Sequence, residues 1–81
     1  MTEITVYSKP YCPVCHKAER VVRSLQGEFD FGLKIVDITK DPKLYEKYRY
    51  DIPVIAVDGV DRFLGAVDAA ALQELLTLDR E

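Results

Sequence analysis

The sequence predicts an α/β fold, a four-stranded mixed sheet flanked by three helices in the order βαβαββα, with helices on both faces. Three observations carry that expectation. A period-two apolar run at the N-terminus hands over to a helical pattern and then to a second apolar run; Asp58-Gly59 separates two further short runs; and the chain closes on a leucine-bearing helical stretch.

Taken in order, Thr2 to Tyr7 alternates β-branched and aromatic residues with polar ones, the habit of a strand. Ser8-Lys9-Pro10-Tyr11 breaks it. From Cys12 onward Val14, Ala18, Val21, Val22 and Leu25 recur at helical spacing, opposite Lys17, Glu19, Arg20 and Arg23. Pro13 takes the first helical position, where its missing N-H costs nothing, and Gly27 marks the end. Phe31 to Ile38 reads as a second, well-buried strand, so strand, helix and strand imply a right-handed parallel unit. Asp41-Pro42 caps a short helix with Leu44, Tyr45 and Tyr48 facing inward, ending before Asp51-Ile52-Pro53. Val54 to Val57 and Val60 to Leu64 flank Asp58-Gly59, a β-hairpin with a primed turn. Asp68 caps the last helix, which carries Leu72, Leu75 and Leu76.

Eighty-one residues are expected to form a single domain, 1–81, near the size at which one core suffices without staples. The 11 basic and 14 acidic side chains leave a net charge of -3, which attracts neither phosphate backbones nor anionic lipid. Nucleic acid and membrane are therefore not expected partners. No apolar run reaches membrane-spanning length, and the opening Met1-Thr2-Glu3-Ile4 lacks the pattern of a secretory signal, so the expected location is the cytoplasm. A reducing compartment leaves Cys12 and Cys15, the two cysteines, in need of a chemical explanation.

Cys12-Pro13-Val14-Cys15 sits where the first strand meets the first helix. An ordinary cysteine near pKa 8.5 is only about 3% thiolate at neutral pH, so an effective nucleophile needs its pKa lowered by about two, worth about 2.7 kcal/mol. Unpaired N-H groups at the helix start can supply that through charge-assisted bonds of about 1.5 to 3 kcal/mol each, and the macrodipole adds up to about 2 kcal/mol. Lys9 contributes a nearby positive charge. Cys12 is thus the expected nucleophile and Cys15, one turn deeper, the resolving thiol. Helical Cβ atoms three positions apart sit about 5 to 6 Å apart, whereas a disulfide wants about 3.8 Å; a non-helical capping position for Cys12 closes the difference.

Other readings compete at the same residues. A structural disulfide across so short a loop would contribute about 2 kcal/mol and would tend to be opened by cytosolic reductants. A zinc site needs about four ligands, and two thiols plus His16 fall short, so no metal is expected. Cys12-Pro13-Val14-Cys15-His16 also spells the c-type haem attachment pattern, which usually needs export and a second axial ligand. His16 reads as a solvent-facing helix residue. Pro53 suits a strand start, with a cis bond as the alternative.

The segment Val6-Tyr7-Ser8-Lys9-Pro10-Tyr11-Cys12-Pro13-Val14-Cys15 closely resembles the active site of dithiol glutaredoxins. Ile52-Pro53-Val54, the Asp58-Gly59 hairpin and Gly65-Ala66-Val67-Asp68 follow in the order of the thioredoxin-like fold, and the chain is most similar to small bacterial glutaredoxin-like proteins. The resemblance implies a cis Pro53 that sets the Ile52 backbone opposite the cysteines for β-type pairing with glutathione or a peptide. It also implies a substrate or glutathione groove formed by Lys9, Tyr11, Ile52, Pro53 and Asp68, with Lys9 meeting a carboxylate and Asp68 the glutamyl amino group. A solvated lysine and a plain helix cap are the alternatives for Lys9 and Asp68. Three positions depart from the family pattern: Val14 replaces tyrosine, Asp51 threonine, and Ala66 the second glycine of a pair. Asp51 is expected to weaken binding of a tripeptide with two carboxylates.

The expected function is a monomeric thiol-disulfide oxidoreductase that reduces protein or glutathione mixed disulfides without a bound cofactor. Glutathione is the expected co-substrate, with a thioredoxin-reductase-like flavoprotein as the other possible electron donor. An iron-sulfur cluster shared between two chains and a redox-inert adaptor are the alternative functions.

Overall fold

A computed structural model describes the backbone of residues 2–80 and the side chains of residues 2–78. The elements are β1 (Thr2–Ser8), α1 (Pro13–Gln26), β2 (Phe31–Asp37), a single 3-10 turn (Ile38–Lys40), α2 (Pro42–Tyr48), β3 (Val54–Val57), β4 (Val60–Leu64) and α3 (Ala69–Arg80). The sheet runs β2-β1-β3-β4, with β1 and β2 parallel and the other two pairings antiparallel. This is the α/β, thioredoxin-like architecture anticipated above.

Strand alternation divides the molecule into two apolar layers. Ile4 and Val6 of β1 and Ile55 and Val57 of β3 point to one face, where they meet Ala18, Val22 and Leu25 of α1 and Leu72 and Leu76 of α3. Tyr7 and Val54, one residue out of phase, point to the other face and pack with Ile38, Leu44 and Tyr48. Register makes the two strands agree, because Ile4 pairs with Val57 and Tyr7 with Val54. Burying a side chain such as Leu72, which is fully enclosed, contributes about 1.5 to 3 kcal/mol.

Hairpin chemistry matches its sequence signal. Asp58 and Gly59 both have positive φ, 51° and 83°, the geometry of a type I′ turn. Just beyond it, Ile55 pairs with Phe63 and Ala56 with Asp61, so Arg62 is the extra residue of a bulge on the edge strand. Asp68 Oδ1 accepts the N-H groups of Ala70 and Ala71 at 3.0 and 3.2 Å, which confirms its capping role.

Three expectations are corrected. β2 is not well buried: only Phe31 of its seven residues is, because the strand lies at the sheet edge. The enclosed strand is β3, all four of whose residues are buried. Ile38 leaves the strand to open the 3-10 turn, which Asp37 caps by accepting the Thr39 N-H at 2.9 Å. Tyr45 faces outward at 41% exposure, since Leu44 and Tyr48, four residues apart, define the inner stripe and Tyr45 is rotated off it. Gly27 caps the end of α1, where the sequence placed it, with right-handed dihedrals.

Candidate active site

Sheet topology gathers three separate segments at one end. β1 runs parallel to β2 and finishes at Ser8, from which residues 9–12 lead into α1. In β3 the register pairs Tyr7 with Val54, so its continuation sets Pro53 beside Ser8. Val54 also pairs with Leu64, which brings the end of β4 and the approach to α3 to the same place. The Gly65 N-H ties these segments together by donating to the carbonyl oxygens of Asp51 at 2.7 Å and Pro53 at 3.0 Å. Gly65 has φ of 83°, a conformation that favours glycine.

Cys12 occupies the helix N-cap in extended conformation, φ -110° and ψ 104°. Its carbonyl accepts the His16 N-H at 3.0 Å, the first helical bond, and its Sγ accepts the Cys15 N-H at 3.3 Å. The sulfur thereby does what a serine or aspartate oxygen does at other helix starts, satisfying one of the unpaired donors. Pro13 at the first helical position leaves no donor wasted. Both cysteines are free thiols, with Cys12 half-buried and Cys15 fully buried. An accessible sulfur thus stands in front of an enclosed one.

Burial pushes the Cys15 thiol up to about 11, and hydrogen bonding with the Cys12 side chain adds to the effect. The Lys9 backbone N-H, which faces that sulfur, acts in the opposite sense, while the charges of Cys12 and Glu19 raise it further. Cys15 is therefore held as a neutral thiol at physiological pH.

The remaining candidates lie on the connection from β1 to α1, just before β3 and just before α3. Ile52-Pro53 is a cis bond, with Pro53 fully buried and Ile52 half-buried. Lys9 is exposed, and Tyr11 stands out at 96% exposure with φ of 60°, a strained conformation for a bulky residue directly before the half-buried cysteine. Asp68 is exposed and its Oδ1 is engaged at the start of α3. Asp51 is exposed one residue before Ile52. His16 is solvent-facing, as its helical position indicated. Beside the cysteine turn a cavity of about 220 Å³ lies between Val14, Lys17, Ala18 and Val21 of α1 and Ala66 and Val67 of the approach to α3. A larger one of about 320 Å³ lies at the opposite, hairpin end of the sheet, against Val57, Asp58, Val60, Arg62, Leu75 and Leu78.

Two site features escaped sequence reasoning. Ser8, at the end of β1, is buried and donates its hydroxyl hydrogen to Glu19 Oε1 at 3.5 Å. Glu19 looked like a plain solvent-side residue of α1; its position four residues after Cys15 was the available signal. The strain at Tyr11 left no mark in the sequence. Among the described residues no group of three or more His, Cys, Asp or Glu side chains is placed to hold a metal ion. No described helix is long and apolar enough to cross a membrane.

Residues 3–77 match the family model described as Glutaredoxin-like domain (DUF836). The chain belongs to this glutaredoxin-like family. Its resemblance to small glutaredoxin-like proteins, first carried by the cysteine segment, thus extends over nearly the whole sequence. A protein of Methanothermobacter thermautotrophicus named "Probable Thioredoxin" is 33% identical over 84 residues, covering 100% of this chain and 99% of the relative. The solution structure of protein Ne2328 from Nitrosomonas europaea superposes with a TM-score of 0.79 at 21% identity, over 93% of this chain and 91% of that one. Chloroplastic thioredoxin z superposes with a TM-score of 0.78 at 19% identity, over 99% of this chain and 79% of that one. At such identities the structural matches speak for the fold alone. Family, fold and the Cys12-Cys15 pair together define a thioredoxin-like redox scaffold.

Proposed function

We propose that this glutaredoxin-like protein is a dithiol thiol-disulfide oxidoreductase acting on protein disulfides. The single observation that carries the reading is the placement of the two sulfurs: Cys12 at the helix cap, accessible and bonded by the Cys15 N-H at 3.3 Å, with Cys15 enclosed behind it. Cys12 attacks one sulfur of the substrate disulfide, a mixed disulfide forms, and the other substrate sulfur leaves as a thiolate that takes up a proton. Cys15 then attacks Cys12 Sγ, releases the second substrate thiol and leaves the Cys12-Cys15 disulfide. Two electrons pass from the dithiol to the substrate, and no bound cofactor is needed.

Lys9, Tyr11, Ile52, Pro53 and Asp68 surround the mixed disulfide in this reading, with the Ile52 backbone pairing with the substrate chain. The electron donor is a thioredoxin-reductase-like flavoprotein. Asp51 supports that choice, because its exposed carboxylate adjoins Ile52-Pro53 and opposes the two carboxylates of glutathione. So does the name of the archaeal relative. The test is NADPH consumption during reduction of a protein disulfide such as insulin, coupled in one arm to thioredoxin reductase and in the other to glutathione with its reductase. Turnover in the first arm that is lost in Cys12→Ser is the expected result. Turnover in neither arm overturns the function, and turnover only with glutathione overturns the choice of donor.

A further inference from the structure

The short helix α2 and the turn after it carry a charge pattern that the exchange chemistry leaves unused. Between Pro42 and Tyr50 stand Lys43, Lys47 and Arg49 against Glu46, a basic stretch on a chain whose net charge is -3. Arg49 is the fixed point within it. Its guanidinium carbon lies 4.6 Å from the ring centroid of Tyr50 and 5.9 Å from that of Tyr45, both within cation-π range. The two rings are themselves in water, Tyr50 at 85% exposure and Tyr45 at 41%, so they serve the cation rather than the core. Ring contacts restrain the side chain without using up its hydrogen-bond donors, and no described residue accepts a hydrogen bond from the guanidinium or pairs with its charge. A planar N-H fork is left held in place and open.

Backbone hydrogen bonds tie this fork to the exchange site. The Arg49 N-H donates to the Tyr45 carbonyl at 2.9 Å, and the N-H groups of Asp51 and Ile52 both donate to the Tyr48 carbonyl, at 2.8 and 3.1 Å. The Gly65 N-H holds the Asp51 carbonyl at 2.7 Å, so the turn from Arg49 to Ile52 has a set shape. Arg49 precedes Ile52 by three residues, which puts their Cα atoms at most about 11 Å apart, the span of about three residues of an extended chain. We propose that Arg49, steadied by Tyr45 and Tyr50, selects protein substrates that carry an aspartate or glutamate a few positions from the disulfide, its fork receiving that carboxylate. The inference deepens the exchange reading above and rests on it. Asp51, exposed between Arg49 and Ile52, opposes a carboxylate beside the disulfide itself, so the recognised acid lies farther along the substrate chain.

The test uses peptides that carry one cysteine as a mixed disulfide with thionitrobenzoate, added to the reduced protein. Cys12 bonds to the peptide sulfur, the peptide S-S bond breaks, and thionitrobenzoate leaves with the electron pair, which stopped-flow absorbance records. Three peptides differ only at the third and fourth positions on either side of the cysteine, which hold glutamate, glutamine or lysine. General repulsion from a chain of charge -3 would rank the lysine peptide first. The Arg49 fork instead ranks the glutamate peptide first, about fivefold faster than the glutamine peptide, the upper end for an exposed ion pair. Added salt is expected to shrink that advantage. In Arg49→Gln the ratio of the two rates is expected to fall to about one. Tyr50→Leu keeps the charge but removes a ring, and is expected to lower the ratio about twofold. Each ratio is taken within one protein, so a general loss of activity cancels. A glutamate peptide no faster than the glutamine peptide in wild type overturns the proposal, as does a preference that survives Arg49→Gln or stays whole in Tyr50→Leu. Release from none of the three peptides overturns the exchange reading itself.

Discussion

Raising the pH of the reduced protein tests the enclosure of Cys15 directly. The side chain is fully buried and its thiol is pushed from 9.0 to about 11, chiefly by desolvation. Between those values the unfolded chain loses the proton while the folded one keeps it, so folding binds more protons and stability falls as pH rises. The contribution is complete below pH 9 and is lost as pH climbs toward 11. Linkage puts the loss by pH 10.5 at about 2 kcal/mol at most, from the factor of ten that each 1.36 kcal/mol represents. The measurement is urea unfolding with a non-thiol reductant present, for wild type and Cys15→Ala, at intervals from pH 8 to 10.5. Other titrating groups cancel in the difference, and the packing loss in the alanine variant is independent of pH. The stability gap between the two proteins is expected to narrow steadily above pH 9. A gap that stays constant across the range refutes an enclosed, neutral Cys15.

Other expectations follow from single contacts. Tyr11 makes its strained turn with its side chain in solvent, so Tyr11→Gly is expected to be neutral or stabilising by up to about 1 kcal/mol in urea unfolding, whereas Tyr11→Val costs about 1 to 2 kcal/mol because a β-branched residue tolerates that φ less well. Tyr48 donates its hydroxyl to the Asp61 carboxylate oxygens at 3.2 and 3.1 Å while its ring stacks on Tyr7 at 4.5 Å. Tyr48→Phe keeps the stack and is expected to cost about 1 kcal/mol, an effect that a cycle with Asp61→Ala should abolish. Asp68→Asn retains the helix cap, so its melting temperature is expected to hold. Its kcat/KM with glutathione mixed disulfides is expected to fall if the carboxylate also grips an amino group, and an unchanged kcat/KM reduces Asp68 to a cap.

Most of the elements were legible in the sequence, because each is governed by residues within a few positions of one another. The 3.6-residue stripe of Ala18, Val22 and Leu25, the Asp41 and Asp68 caps, and the Asp58-Gly59 turn all act locally. Periodicity was least informative for β2 and Tyr45, since an apolar run says that a strand will form but not whether a neighbour covers it. The position of Cys12 was legible for the same local reason: Pro13 fixes the helix start and so fixes Cys12 as its cap.

By itself, then, the chain determined which segments become strands and helices and which sulfur sits at the helix mouth. Tertiary structure alone decided how deeply Cys15 is buried, that Pro53 comes to lie beside Ser8, and that Ser8 reaches Glu19, 11 positions away. The physical reason is one of range. Capping and periodicity are settled by backbone hydrogen bonds between near neighbours, whereas desolvation and proximity between distant residues depend on the order in which β2, β1, β3 and β4 line up.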